Sequence, residues 1–194
     1  MNNPDDLSIL RNLVGIFDAL GIAYAVGGSM ASSVYGRVRF TQDADLTVEP
    51  FAAKAQQFLE RAAKDYYISA DAMRYALDHR TSFNINIIHI GTAFKIDLFI
   101  RGESEFQKQL IPRRRMVRLS ENDEAPFAVV SPEDILLLKL TWYVQGGRTS
   151  DRQRDDVKGI LATQQNTLDF AYLKKWAVVL EVADVLENAL KELT

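Results

Sequence analysis

The chain has 194 residues and a formal net charge of −3, from 23 basic and 26 acidic side chains, which removes any overall electrostatic case for nucleic-acid binding. Apolar residues at 47% and charged residues at 25% suit an ordinary globular protein of one domain or two small ones. The absence of cysteine excludes disulfides, thiolate metal sites and a cysteine nucleophile. The start lacks a basic segment followed by a long apolar one, and no apolar run approaches the roughly 20 residues that span a bilayer. A cytoplasmic protein with no membrane partner is expected.

In chain order, Leu7, Leu10, Leu13, Val14, Phe17 and Leu20 recur at helical spacing, so Asp5 to Leu20 is predicted to be a helix that Gly21 ends. Ile22 to Val26 is a short buried strand. Ser29 to Tyr35 reads as a helix with Ser29 as its N-cap, closed by Gly36. Phe40 to Val48 is a strand, and Pro50 opens a helix to about Ala63. Ser69 to His79 is a further helix. Phe83, Ile85 and Ile87 alternate with Asn84 and Asn86 as in a half-buried strand. Gly91-Thr92 makes a turn and Phe94 to Ile100 returns, giving a hairpin. Glu103 to Leu110 is a short helix, Arg115 to Leu119 a strand, 121–124 a solvated turn, and Phe127 to Val130 a strand.

Ser131 as N-cap and Pro132 at the first helical position start a run of helices over about 132–144, 150–163, 168–179 and 181–192, broken at Gly146-Gly147 and Asn166. The change from mixed strand and helix to helix alone falls near residue 131. It divides the chain into a core over 1–125 and a helical C-terminal region over 126–194 that packs on it.

Chemistry concentrates between Val26 and Val48. Gly27-Gly28-Ser29 sits straight after a strand and before a helix, where glycine lets backbone amides approach a phosphate. Asp43 and Asp45 are two apart on a strand and so share one face. Lys95, Asp97 and Phe99 share a face of the later strand. If the two strands adjoin, three carboxylates converge with nothing in the sequence to neutralise them, and magnesium, a hard cation that prefers oxygen, would relieve the repulsion. Lys139 lies in a helix that is apolar nearly all round, so its ammonium needs a triphosphate, the carboxylate cluster, or a route to water along its stem. Arg39 could clamp phosphate, while Arg37 reads as surface. The Arg113–Arg118 run could follow an RNA backbone or be a solvated strand. Arg154, Asp155 and Asp156 read as an ion-paired helix face. His79 and His89 read as structural, and Trp142 and Tyr143 as core packing.

Gly27-Gly28-Ser29, Tyr35-Gly36, Arg39, Thr41, Asp43-Ala44-Asp45-Leu46 and Lys95-Ile96-Asp97-Leu98-Phe99 together resemble the polymerase-β-type nucleotidyltransferase superfamily. Within it they are most similar to small bacterial nucleotidyltransferases related to abortive-infection toxins of toxin–antitoxin pairs. The spacing from Ser29 to Asp43 departs from the minimal members of the superfamily, being longer by a few residues, and agrees better with that branch. The resemblance extends more loosely over Ser131 to Ile160, through Ser131-Pro132-Glu133-Asp134, Lys139 and Arg154-Asp155-Asp156. It implies an α+β nucleotidyltransferase fold, a short mixed sheet flanked by helices, with a helical C-terminal region walling the cleft.

The resemblance also implies transfer of a nucleoside monophosphate from NTP to an acceptor. Asp43, Asp45 and Asp97 would be catalytic and would hold two Mg2+ ions. Gly27, Gly28, Ser29, Arg39, Thr41 and Lys139 would bind the nucleotide, with Gly28 and Ser29 on the β- and γ-phosphates. Asp156 gains a supporting role near the site. Acceptors of the kind implied are RNA such as tRNA, or protein, with a cognate antitoxin as a further partner. A small antibiotic-type acceptor and a weakly active nucleotide-binding regulatory module are the alternatives.

Overall fold

A computed structural model describes residues 4–79, 84–120 and 125–192. The Phe83 end of the alternating strand and the turn expected at 121–124 lie outside them. Helix α1 (Pro4–Leu20) ends at Gly21, as its apolar spacing and glycine stop predict. Then come β1 (Tyr24–Val26), α2 (Gly28–Tyr35), β2 (Asp43–Val48), a 3-10 turn at Ala52–Lys54, α3 (Ala55–Ala62), β3 (Tyr66–Ile68) and α4 (Ala70–His79). The hairpin is β4 (Asn84–His89) and β5 (Lys95–Ile100); α5 (Gln107–Leu110), β6 (Arg115–Val117) and β7 (Phe127–Val129) follow. The chain continues through α6 (Pro132–Gln145), α7 (Asp151–Gln164), α8 (Phe170–Val179) and α9 (Ala183–Lys191).

Seven strands among the described residues form one mixed sheet in the order β3-β4-β5-β2-β1-β7-β6. Strands β2 and β5 are parallel neighbours and β1 is antiparallel to β2. The α+β class and the mixed sheet agree with the sequence reading.

Several boundaries differ from it, and α5 (from Gln107, not Glu103), β1 (from Tyr24, not Ile22) and β6 (to Val117, not Leu119) are shorter than predicted. Strand β2 begins at Asp43 rather than Phe40, because 36–42 is an extended loop with Val38 and Phe40 exposed. Pro50 opens a 3-10 turn before the helix proper. Strand β3 is absent from the prediction, since three residues are too few to show a period.

The alternation on β2 decides which side is core. Ala44, Leu46 and Val48 are fully buried, while Asp43, Asp45 and Thr47 on the opposite face are half-buried. On β5, Ile96, Leu98 and Ile100 join the core. Elsewhere in the core Phe17 of α1 stacks on Phe58 of α3 with ring centres 4.8 Å apart, and Phe51 meets Phe58 edge-on at 5.5 Å. Each such aromatic pair adds about 0.5–1.5 kcal/mol beyond the area it buries. Helices α2, α6 and α7 pack on one another. The loop after α2 comes so close to α7 that a Cβ on Gly36 would meet the Ile160 nitrogen at 2.8 Å, so only glycine fits there.

Candidate active site

The register of β2 against β5 brings the acidic residues together. Asp43 lies opposite Lys95, Asp45 opposite Asp97, and Thr47 opposite Phe99. The glycine turn is bound to the same strand, since the Gly27 N–H donates to the Asp45 carbonyl at 2.8 Å. Gly28 has φ +53°, and a Cβ on it would overlap the Asp45 carboxylate, so glycine is required on both counts. The first turn of α2 therefore faces Asp45.

Ser29 does not cap this helix. Helix α2 begins one residue earlier, with Gly27 in the cap position and no side-chain cap, because the chain must turn sharply enough to reach Asp45. The Ser29 hydroxyl instead accepts a short hydrogen bond from Arg39 Nη2.

The carboxylates are not left unneutralised. Lys95, two residues before Asp97 on the same strand face, places Nζ 2.8 Å from Asp97 Oδ2 and 4.0 Å from Asp43 Oδ2. That hydrogen bond raises the Lys95 pKa against the opposing pull of burial. Asp97 Oδ1 is buried with no hydrogen-bond partner. Thr41 Oγ1 donates to Asp43 Oδ1 at 2.9 Å and so orients that carboxylate. Burial, reinforced by Asp43 and Asp97, pushes the Asp45 carboxyl up to about 6, with Lys139 and Lys95 opposing.

Hard oxygens, an orphaned Asp97 oxygen and mutual repulsion are what a divalent cation would satisfy, so the residues fit magnesium. They are not drawn into a finished cage: among the described residues no three His, Asp or Glu side chains form a ready-made metal cluster.

Beside this face lies a buried polar hub centred on Asp156. Its Oδ2 is 2.8 Å from Lys139 Nζ and 3.1 Å from Ser32 Oγ, and its Oδ1 is 3.0 Å from Arg39 Nε. The Lys139 and Asp156 side chains are only 3% and 5% exposed. Burial alone would raise the Asp156 pKa, but Arg39 and Lys139 override it and hold the carboxyl below its ordinary value. Lys139 thus finds its counter-ion in Asp156, neither of the partners weighed for it in the sequence. Arg39 is tied to Asp156 and Ser29 rather than standing free as a clamp. Asp156 is the residue that sequence reasoning undervalued. Its signal was its place four residues before the apolar Ile160, on the inward face of α7.

The remaining sequence candidates fall elsewhere. Arg37 is exposed, as expected. In the Arg113–Arg118 run Arg114, Arg115 and Arg118 are exposed, while Arg113 is only 30% exposed: it pairs with Glu133 at 3.2 Å and Asp134 at 3.3 Å and stacks on Tyr172. His79 bonds the Tyr75 carbonyl and His89 the Thr92 hydroxyl, so both are structural. Tyr143 packs on the core. Trp142 does not; it lines a cavity of about 290 Å3 that begins at Gly27, Gly28 and Asp45.

No family model and no curated protein matches the chain. Solved structures do. The chain is similar to an antigenic nucleotidyltransferase-like protein from Paracoccidioides brasiliensis, with 18% identity over 97% of this chain and 93% of that one, at a TM-score of 0.55. It is also similar to ANT(2")-Ia in complex with adenylyl-2"-tobramycin, with 10% identity over 90% of this chain and 95% of that one, at a TM-score of 0.61. The solution structure of the antibiotic-resistance factor ANT(2'')-Ia gives 11% identity over 95% and 94%, at a TM-score of 0.56. At these identities the likeness is one of fold: the chain has the fold of nucleotidyltransferases.

Proposed function

We propose that this nucleotidyltransferase-fold chain is a nucleotidyltransferase that moves a nucleoside monophosphate from an NTP to an acceptor hydroxyl. The observation that carries the reading is the register that sets Asp45 opposite Asp97, two residues from Asp43 on the same strand face, directly against the Gly27–Gly28 turn. Asp43, Asp45 and Asp97 would hold two magnesium ions, which supply the positive charge that neutralises a triphosphate and its leaving group.

The chain's own groups do the positioning. The Gly28 and Ser29 amides at the start of α2 bind the β- and γ-phosphates. Ser29 accepts from Arg39 and so keeps its own proton free to donate to a phosphate oxygen. Arg39 and Lys139, anchored by Asp156, fix that turn and bring positive charge near the nucleotide. Thr41 holds Asp43. Asp97 accepts the acceptor's proton as its oxygen attacks the α-phosphorus; the bond from that phosphorus to the bridging oxygen breaks and pyrophosphate leaves.

The helical region over 126–194 walls this cleft, through α6. For the acceptor we favour RNA such as tRNA, or protein. The loop between α2 and β2, which carries Arg39 and Thr41, presents Arg37, Val38 and Phe40 outward beside the site, an apolar and basic edge suited to a large partner. A toxin role, with an antitoxin to restrain it, follows if that acceptor is essential to the host.

The test is transfer of label from each α-labelled NTP, with Mg2+, to total tRNA, to protein and to tobramycin, by wild type and by Asp43→Ala/Asp45→Ala. Label on RNA or protein, lost in the variant, is expected. Transfer to tobramycin would replace the acceptor assignment, and no Mg2+-dependent NTP binding in wild type would sink the reading.

A further inference from the structure

The carboxylates occupy one face of the sheet, and a second cavity lies on the other. Tyr66, at the start of β3, pairs with His89 at the end of β4. His89 is on the same side of β4 as the buried Ile85 and Ile87, whereas Asn86, on the opposite side, sits beside Asp97. Tyr66 and His89, with Asp65, Thr92 and the α1 residues Ile9 and Asn12, line a space of about 330 Å3, within the roughly 300–1,000 Å3 of small-molecule sites. The sheet therefore separates this cavity from Asp43, Asp45 and Asp97.

Asp65 gives the space its charge. Its N–H donates to the Ala62 carbonyl at 3.1 Å and its carbonyl accepts from the Ile90 N–H at 2.9 Å. Its half-buried carboxylate pairs with no cation among the described residues, and none of those lining the cavity is a lysine or arginine. The Tyr66 hydroxyl is already committed, donating to the Ile9 carbonyl at 2.6 Å. The His89 ring is held by the Thr92 hydroxyl at 2.9 Å and meets the Tyr66 ring edge-on, with centres 5.6 Å apart. Two aromatic rings are thus fixed beside one carboxylate that lacks a counter-ion.

This wall selects among ligand classes. An anion would meet Asp65. A metal ion would find one carboxylate and one imidazole, and Nδ1 of that imidazole is bound to Thr92. The second charge of a polyamine would have no carboxylate. A single organic cation is complementary: the carboxylate accepts its N–H groups in charge-assisted hydrogen bonds, and the aromatic faces attract its charge. Ile9 offers an apolar surface for an aliphatic stem. Guanidinium fits better than ammonium, because it is planar, more weakly hydrated, stacks on aromatic rings and meets a carboxylate through two parallel N–H bonds.

We propose that this cavity binds an alkylguanidinium group, held by Asp65 and stacked beside Tyr66 and His89. Asn12 Oδ1, 3.4 Å from the Tyr66 hydroxyl, is a further acceptor for it. The group belongs either to a free small molecule or to an arginine side chain of a partner. The site stands independently of the transferase reading, since it shares no residue with the carboxylate face.

Nitrogen-15 amide spectra of the full chain, titrated with n-butylguanidinium, locate the site. The amides of Asn12, Tyr66 and Thr92 should shift saturably, with a Kd on the order of 1 mM for so small a ligand. n-Butanol, which shares the stem, and inorganic phosphate should leave them in place, and n-butylammonium should bind more weakly. The shifts should persist in Asp43→Ala/Asp45→Ala, which weakens the rival cation site. Asp65→Asn should reduce affinity about 10- to 100-fold with Tm unchanged, since the carboxylate has no partner to lose. The peptide acetyl-Gly-Arg-Gly-amide separates the two sources: binding about 10-fold tighter than n-butylguanidinium assigns an arginine of a partner, and equal binding assigns a free cation.

Shifts confined to Gly28 and Asp45 would place the cation on the carboxylate face and overturn the proposal. So would unchanged affinity in Asp65→Asn, or n-butanol or n-butylammonium binding as tightly as n-butylguanidinium.

Discussion

Truncating Asp156 to alanine leaves the Lys139 ammonium, 3% exposed, without its counter-ion inside the packing of α2, α6 and α7. Removing one partner of a buried ion pair costs about 3–5 kcal/mol, because the remaining charge is neither hydrated nor paired. Arg39 is lost as a partner too, but it is 30% exposed and can turn to water, so it adds little. Against a total stability of about 5–15 kcal/mol the effect is large. At about 2–4 °C per kcal/mol for a chain of this size, Tm should fall by roughly 10 °C.

The double variant Lys139→Met/Asp156→Leu separates a lone charge from lost packing. Replacing both members with apolar residues is often neutral, so it should recover most of the loss. Urea unfolding followed by circular dichroism measures both. The pH dependence adds a further check. The Asp156 carboxyl is held below its ordinary value, so its stabilisation is present above the unfolded pKa of about 4 and is lost as pH falls through the lower folded value. The gap between wild type and Asp156→Ala should therefore be flat from about pH 5 to 8 and close only in acid. A loss under about 1 kcal/mol, or a double variant no better than the single, would refute the account of the hub.

Three further outcomes follow from the carboxylate face. Asp45 carries a carboxyl raised to about 6, so the stability it lends is present below about pH 4 and lost as pH rises through 6; Asp45→Asn should stabilise the metal-free protein above about pH 7 by about 1–2 kcal/mol, and not at pH 4, in thermal melts with EDTA. Gly28→Ala, with positive φ and a Cβ set into the Asp45 carboxylate, should cost about 1–3 kcal/mol in urea unfolding and abolish NTP binding in calorimetry. Lys95→Ala leaves the buried Asp97 without its ammonium partner, so metal-free Tm should drop by an amount matching about 1–3 kcal/mol, and the rise in Tm on adding MgCl2 should exceed that of wild type in scanning fluorimetry; an equal or smaller rise would mean that Lys95 does not oppose the cation.

What could be read in advance follows from the range of each signal. Strand alternation has a period of two, so the pairing of Asp43 with Asp45 on one face, and of Lys95 with Asp97, is legible from the residues alone. So are α1, ending at Gly21, and α6, starting at Ser131-Pro132. Register between strands is not local. That Asp45 faces Asp97 rather than Phe99 depends on how β2 slides against β5, which the buried rows Ala44-Leu46-Val48 and Ile96-Leu98-Ile100 settle only once they pack. The neutralisation of the carboxylates, by contrast, is local. Lys95 shares a strand face with Asp97, and at two residues' spacing on a strand an ammonium reaches the neighbouring carboxylate.

The hub marks where sequence reasoning ends and why. Ser32, Arg39, Lys139 and Asp156 come from α2, the loop after it, α6 and α7, and are separated by up to 124 residues. No local period links them. What the sequence does contain is a set of conflicts with burial: a lysine in Ile135–Leu140, and an acid beside Val157 and Ile160. Each alone admits a bland reading, since a lysine can snorkel and an acid can be solvated. Two such conflicts of opposite sign in consecutive helices are better resolved together, because pairing is the arrangement that leaves neither charge stranded in the core. Gly36 and Gly159 then become informative as well, since a loop and a helix that meet without Cβ atoms bring Arg39 within reach of Asp156. The same closeness ties α7 to the turn that faces Asp45, so a change at Asp156 should register at Ser29 as a change in phosphate binding, and not in stability alone.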